Sequence, residues 1–212
     1  MAIKKLGSIR SVDKKWKHQW KQATRLHRWY DKLRRSRQDD DLVPTILKRL
    51  ASENEGSRRD TLKAILRLEY MHQGRDADLR AALRSEIDEE PHVAYPRIRL
   101  AEQYLYHDNL APKALEIIEE AIGLAKSSGC YFFYASGVKA RCLRKVGLIT
   151  QLESLLVEMM KWDPNDTIVD IPPETDFLEK IPHGAIEKDL IESYVDFSRY
   201  VRRVWDKKFP VS

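Results

Sequence analysis

The feature that most constrains this chain is a recurring interval. Gly74 is followed seventeen residues on by Pro91, and Gly147 is followed by Pro164 at the same distance. Between them lies a stretch of the same kind, Leu100-Ala101-Glu102-Gln103-Tyr104 and then Ala114 to Ile122. Apolar residues return at steps of three and four, the period of a helix with one buried face. Two helices per unit at a period in the thirties of residues is the pattern of a helical solenoid. One pair cannot bury its apolar face alone and must stack on its neighbours.

The units can be read in order. Gly56 is the expected turn residue of a loop over 52–59, and Asp60 the expected cap of the first helix. Leu62, Ile65, Leu66 and Tyr70 face inward there, and Gly74 stops the helix. Leu79, Ala82, Leu83 and Ile87 mark its partner, which ends before Pro91. The second unit starts near Pro96, carries Ile98, Leu100, Ala101, Tyr104 and Leu105, and turns at His107-Asp108-Asn109. Its second helix opens at Pro112 and carries Leu115, Ile118, Ala121 and Ile122. The third runs from about Phe133 through Ala140 and Leu143, turns at Gly147, and closes on Leu152, Leu155, Leu156 and Met159.

Charge divides the chain differently. Residues 1–40 hold 13 of the 38 Lys and Arg against 4 of the 33 Asp and Glu, a net of +9, whereas the other 172 residues are net −4. Residues 1–41 therefore form a basic arm. Its first ten residues have no period and read as a flexible lead; Ser11 is placed to cap a helix, with Asp13 in the first turn. No Pro or Gly interrupts Val12 to Arg37. Trp16, Trp20, Ala23, His27 and Tyr30 make one stripe, widened by Leu26, Trp29 and Leu33. Lys14, Lys17, Lys21, Arg25, Arg28, Lys32 and Arg35 take the opposite side. The stripe suits packing on the repeats as an N-terminal cap. The basic side suits an acidic surface such as nucleic acid, anionic lipid or an acidic protein.

Residues 42–166 begin with a short helix from Pro44 to about Glu53, its face formed by Leu42, Ile46, Leu47 and Leu50, with Asp40 or Asp41 as cap. Residues 167–212 open with an extended connector at Ile171-Pro172-Pro173. Phe177, Leu178 and Ile181 are expected to tuck onto the last repeat. A helix from about Ala185 to Trp205 follows, buried through Leu190, Tyr194, Phe197, Val201 and Val204, as a C-terminal cap.

The repeats resemble the tetratricopeptide repeat. The resemblance rests on Leu100, Ala101, Tyr104, Ala114 (one residue late) and Ala121, then Ala140, Leu143, Gly147 and Asp163-Pro164. In the first unit Tyr70, Gly74 and Pro91 fit, but Arg67 stands where the family has a small residue. Asp108 stands where a turn glycine is expected, and the spacing is 34 residues from Gly74 to Asp108 but 39 from Asp108 to Gly147. The resemblance covers about half the chain and implies an all-α, right-handed α-solenoid between N- and C-terminal capping helices. It also implies a concave groove lined by the first helix of each unit. Carried over by position, that groove holds Leu68, Met71 and His72, then Ile98, Glu102, Leu105 and Tyr106, then Tyr134, Arg141, Arg144 and Lys145. The family's carboxylate clamp is not implied, since Ala64 and Leu68 stand where Lys and Asn belong. A groove grading from apolar to basic would suit a peptide with a hydrophobic segment and an acidic end.

Little in the chain points to chemistry. Six scattered histidines share no ligand spacing with a cysteine, so no metal site is expected, and no cofactor either. Cys130 and Cys142 are twelve residues apart and read as core thiols in a reducing compartment. Phosphate loops and nucleophile elbows are missing. The expectation is a cytoplasmic, non-enzymatic scaffold or adaptor that holds a partner protein or peptide segment, with no transmembrane segment and no leader peptide. The alternative is a nucleic-acid-associated protein that meets phosphates through residues 14–37.

Overall fold

A computed structural model describes residues 9–37, 41–165, 170 and 173–208, with side chains from Lys21 to Lys207 within those ranges. It is all-helical, with no strand among the described residues. Residues 1–79 and 80–212 form two compact units.

The first unit is built on α1 (Ile9–Ser36), α2 (Val43–Ser52) and α3 (Gly56–His72). Because α1 begins at Ile9, Ser11 and Asp13 lie inside the helix rather than at its cap. Leu42 is the N-cap of α2, and Asp41 just ahead of it accepts the Val43 N–H at 2.9 Å through its carboxylate. Asp40 lies outside the described residues. Gly56 opens α3, so the expected loop shrinks to three residues and Asp60 sits within the helix. Ser57, Arg58 and Arg59 are polar but helix-competent. The Glu55 carbonyl accepts the N–H groups of Arg58 and Arg59 at 3.1 and 2.9 Å, and Arg59 reaches back to the Leu50 and Glu53 carbonyls at the end of α2. At the other end Gly74 takes a left-handed φ of +64°, and the Arg75 N–H closes the turn on the Tyr70 carbonyl at 2.9 Å. Both α1 and α2 pack on α3 around Leu26, Ile46, Leu62 and Ile65. Leu47, expected on this face, is exposed instead.

A fourth helix, α4 (Asp76–Glu89), crosses the division after Leu79. The second unit continues through α5 (Ala94–Tyr106), α6 (Ala111–Ser128), α7 (Phe132–Val146), α8 (Ile149–Lys161), a short 3₁₀ turn (Asp176–Lys180) and α9 (Lys188–Lys208). From α5 to α9 each α-helix packs on the next, and α5 also touches α7. Ala101, Ala114, Ala121 and Ala140 are wholly buried on these contacting helices. The residue that reverses the chain after α5 is Asn109, at φ +55°, and not Asp108. Asp108 is held by an ion pair with Arg80 at 3.0 Å, and the Leu110 N–H bonds the Tyr104 carbonyl at 2.8 Å. Gly147, at φ +77°, closes α7 as expected.

The C-terminal stretch docks on this unit. Phe177, Tyr194 and Val201 are fully buried, while Leu190, Phe197 and Val204 are half-buried. Phe197 meets Phe133 of α7 edge-on at 5.8 Å. Ile171 and Pro172 of the expected connector lie outside the described residues. Cys142 is buried, but Cys130 is half-buried in the turn after α6, its thiol directed at the Ser128 carbonyl at 3.6 Å. That corrects its reading as a core thiol.

Candidate functional site

The basic arm packs. Leu26 and Tyr30 are buried in the first unit, and α1 is fastened to α3 by a polar anchor. Glu69, wholly buried on α3, accepts the Tyr30 hydroxyl at 2.8 Å, the Arg34 guanidinium at 3.2 Å and the Gln73 amide at 2.6 Å. Burial, then the hydrogen bond to Glu69 and its charge, push the Tyr30 hydroxyl well above its ordinary pKa, so it stays a donor. Glu69 follows Leu62, Ile65 and Leu66 at helical steps, and a carboxylate on an apolar stripe is a legible sign of a buried partner. Beside this anchor Asp41 accepts from Gln73 and Arg75, and its pKa is lowered chiefly by the Gln73 hydrogen bond.

The outward side of α1 stays open. Lys21, Arg25, Arg28, Lys32 and Arg35 are all exposed. The side chains of Lys14, Lys17, Trp16 and Trp20 lie outside the described residues. Trp29 is half-buried, with the Arg49 guanidinium 4.2 Å from its ring.

The eleven groove residues fall in both units. In the first, Leu68 and Met71 are 37% and 41% exposed on the side of α3 away from its core stripe, and His72 is exposed beside them. In the second, Ile98 and Leu105 are buried at 0% and 1% and belong to the core of α5 rather than to a groove. Their positions share the inward arc with Ala101 and Tyr104, which the positional carry-over did not separate. Tyr106 is 53% exposed. Glu102 and Tyr134 are brought together: the Tyr134 hydroxyl donates to Glu102 at 2.7 Å, and Arg99 binds both, at 2.7 and 3.0 Å. Burial first, then the Glu102 charge, raise the Tyr134 pKa. Lys145 donates to the Leu105 carbonyl at 2.9 Å, and Arg144 is half-buried.

Arg141 pairs with the chain's own carboxylates. Glu174 and Asp176 both reach its guanidinium, Asp176 at 2.6 Å. Burial opposes the Arg141 charge, but Tyr106 and the two carboxylates outweigh it and raise its pKa. One further carboxylate lies at the start of the same helix. Asp170 is buried and accepts the N–H groups of Phe133 and Tyr134, at 2.8 and 3.0 Å, which α7 itself leaves unpaired. Acidic residues of the C-terminal stretch thus meet α7 at its first turn and again two turns on. Tyr194 and Ser198 of α9 fasten that stretch through the Glu174 and Pro173 carbonyls, at 3.4 and 2.6 Å. No local pattern announces Asp170, since it lies 37 residues from its partner.

Among the described residues no group of His, Cys, Asp and Glu is arranged to hold a metal, and no helix is long and apolar enough to cross a membrane. Comparison of the chain with protein-family models, curated proteins and solved structures gave no match.

Proposed function

We propose that this chain is a non-enzymatic interaction scaffold that holds a segment of a partner protein along exposed helix faces. In this reading α5/α6 and α7/α8 are tetratricopeptide-like pairs in a right-handed stack capped by α9. The observation that carries it is the way α7 receives part of its own chain. Asp170 at residues 133–134 and Glu174 and Asp176 at Arg141 span about 12 Å of α7, taking 1.5 Å per residue. Phe177 inserts beside them as an apolar anchor. An acidic stretch ending in an aromatic residue is the kind of ligand expected for a groove that grades from apolar to basic, and here the chain supplies one itself. The charge of Arg141 is thereby neutralised by the chain itself.

An exposed apolar face lies on α3, where Leu68 and Met71 stand side by side in the helical pattern. Two such side chains on one stripe suit the apolar anchors of a helix or extended segment. The unpaired thiols of Cys130 and Cys142 fit a reducing, cytoplasmic setting. The test is a photo-crosslinking amino acid at His72 in the living cell, with the same residue at exposed Lys188 as control. A discrete adduct from position 72, lost on Leu68→Asp, is expected. Equal labelling from both positions, or none, overturns the reading.

A further inference from the structure

We infer that the outward face of α1 is a docking surface for the phosphate backbone of a nucleic-acid duplex. Lys21, Arg25, Arg28, Lys32 and Arg35 succeed one another at steps of four and three, so they form one row. All five are exposed, and among the described residues none is held in an ion pair or hydrogen bond. At 1.5 Å per residue the row is about 21 Å long. The helix beneath is fastened to α3 through Tyr30, Arg34 and Glu69, so the charges are presented on a fixed rod.

What surrounds the row selects the partner. An amphipathic helix that binds a bilayer needs its apolar side free. Here Leu26 and Tyr30 are already buried within the first unit. A protein interface draws its affinity from apolar and aromatic anchors at its centre. Between residues 21 and 37 the exposed side chains are the five of the row, Arg37, Asp31 and Ser36, with no apolar residue among them. Single strands are held by bases stacking on open aromatic rings. Trp29 is half-buried with Arg49 over its ring. Among the described side chains of α1, this array of unpaired cations, without exposed anchors or an open stacking surface, matches a regular line of phosphates. Over about 21 Å a duplex presents roughly six on each strand, taking 3.4 Å per phosphate.

The inference is independent of the partner face on α3. It is tested with the full chain and a fluorescein-labelled, mixed-sequence DNA duplex of about 20 base pairs, by anisotropy between 50 and 200 mM salt. Binding should weaken with salt, since each phosphate contact adds about 0.9 to the log–log slope on a duplex. Arg28→Gln with Lys32→Gln should make that slope shallower by roughly 1.8. Circular dichroism and the urea midpoint of this variant should match wild type, because neither side chain is paired. Arg202→Gln with Arg203→Gln on α9 removes the same charge from another exposed face and should leave the slope unchanged. Four results overturn the proposal: no duplex binding at 50 mM salt, equal effects of the two double variants, tighter binding of a single strand, or tighter binding of phosphatidylserine vesicles.

Discussion

Removing one donor from the Glu69 carboxylate tests how α1 is held. Tyr30→Phe keeps the ring that fills the space between α1 and α3 and deletes only the hydroxyl 2.8 Å from Glu69. A hydrogen bond to a charged acceptor contributes about 1.5–3 kcal/mol. Glu69 keeps Gln73 and Arg34, so a loss near 2 kcal/mol is expected. Glu69→Ala is harsher, because it strands a buried hydroxyl and removes the carboxylate facing Arg34. Breaking a buried ion pair costs about 3–5 kcal/mol. The Arg34 side chain is 27% exposed and can turn to water, which places the loss at the lower end, about 3 kcal/mol. The Tyr30–Glu69 bond is lost in both variants, so the double variant should fall short of the sum by about 1.5–2 kcal/mol. Urea titration followed by tryptophan emission suits the question, since three of the five tryptophans belong to α1. Losses that add to within about 0.5 kcal/mol would mean the two groups do not interact, and the anchoring argument would fall.

Three further outcomes follow from the packing. Ala101→Leu and Ala140→Leu each force three extra carbons into a wholly buried site and should cost about 1–3 kcal/mol, read from thermal melts; unchanged melts would mean these helices are not in close contact. Asp170→Ala removes the acceptor for two N–H groups at the start of α7 and should cost about 1–2 kcal/mol, with faster hydrogen exchange at Phe133 and Tyr134 and little change deeper in the helix. Burial pushes the Cys142 thiol from an ordinary 9.0 up to about 12, so a thiol reagent at pH 8 should modify Cys130 and spare Cys142. The same raised value works against the fold in base: the Cys142 contribution is fully present below pH 9 and lost as pH rises toward about 12, where the unfolded thiol has ionised first.

Local patterns determined the helices of this protein and most of their stops. Gly74 and Gly147 end helices because the left-handed turn each requires strains any side chain, a constraint written in one residue. The alanines at 101, 114, 121 and 140 announced buried contact through size and period alone. Where two residues could serve equally the pattern was blind: Asp108 and Asn109 both tolerate a left-handed turn, and the Arg80 ion pair with Asp108 accompanies the choice of Asn109. The candidate groove divides in the same way. Leu68 and Met71 stand outside their own helix's core stripe and were legible as open, whereas Ile98 and Leu105 lie on the inward arc of α5 and belong to its core. Arg141 looked free until a stretch more than thirty residues on brought Glu174 and Asp176 to it. Pairing across such distances leaves no periodic trace, because the partners share no helix and only the folded chain sets their separation. The basic row on α1 is the opposite case, since the spacing of its charges was plain in the sequence. What tertiary structure added was Glu69, which draws Arg34 inward to the anchor while the five cations of the row face out.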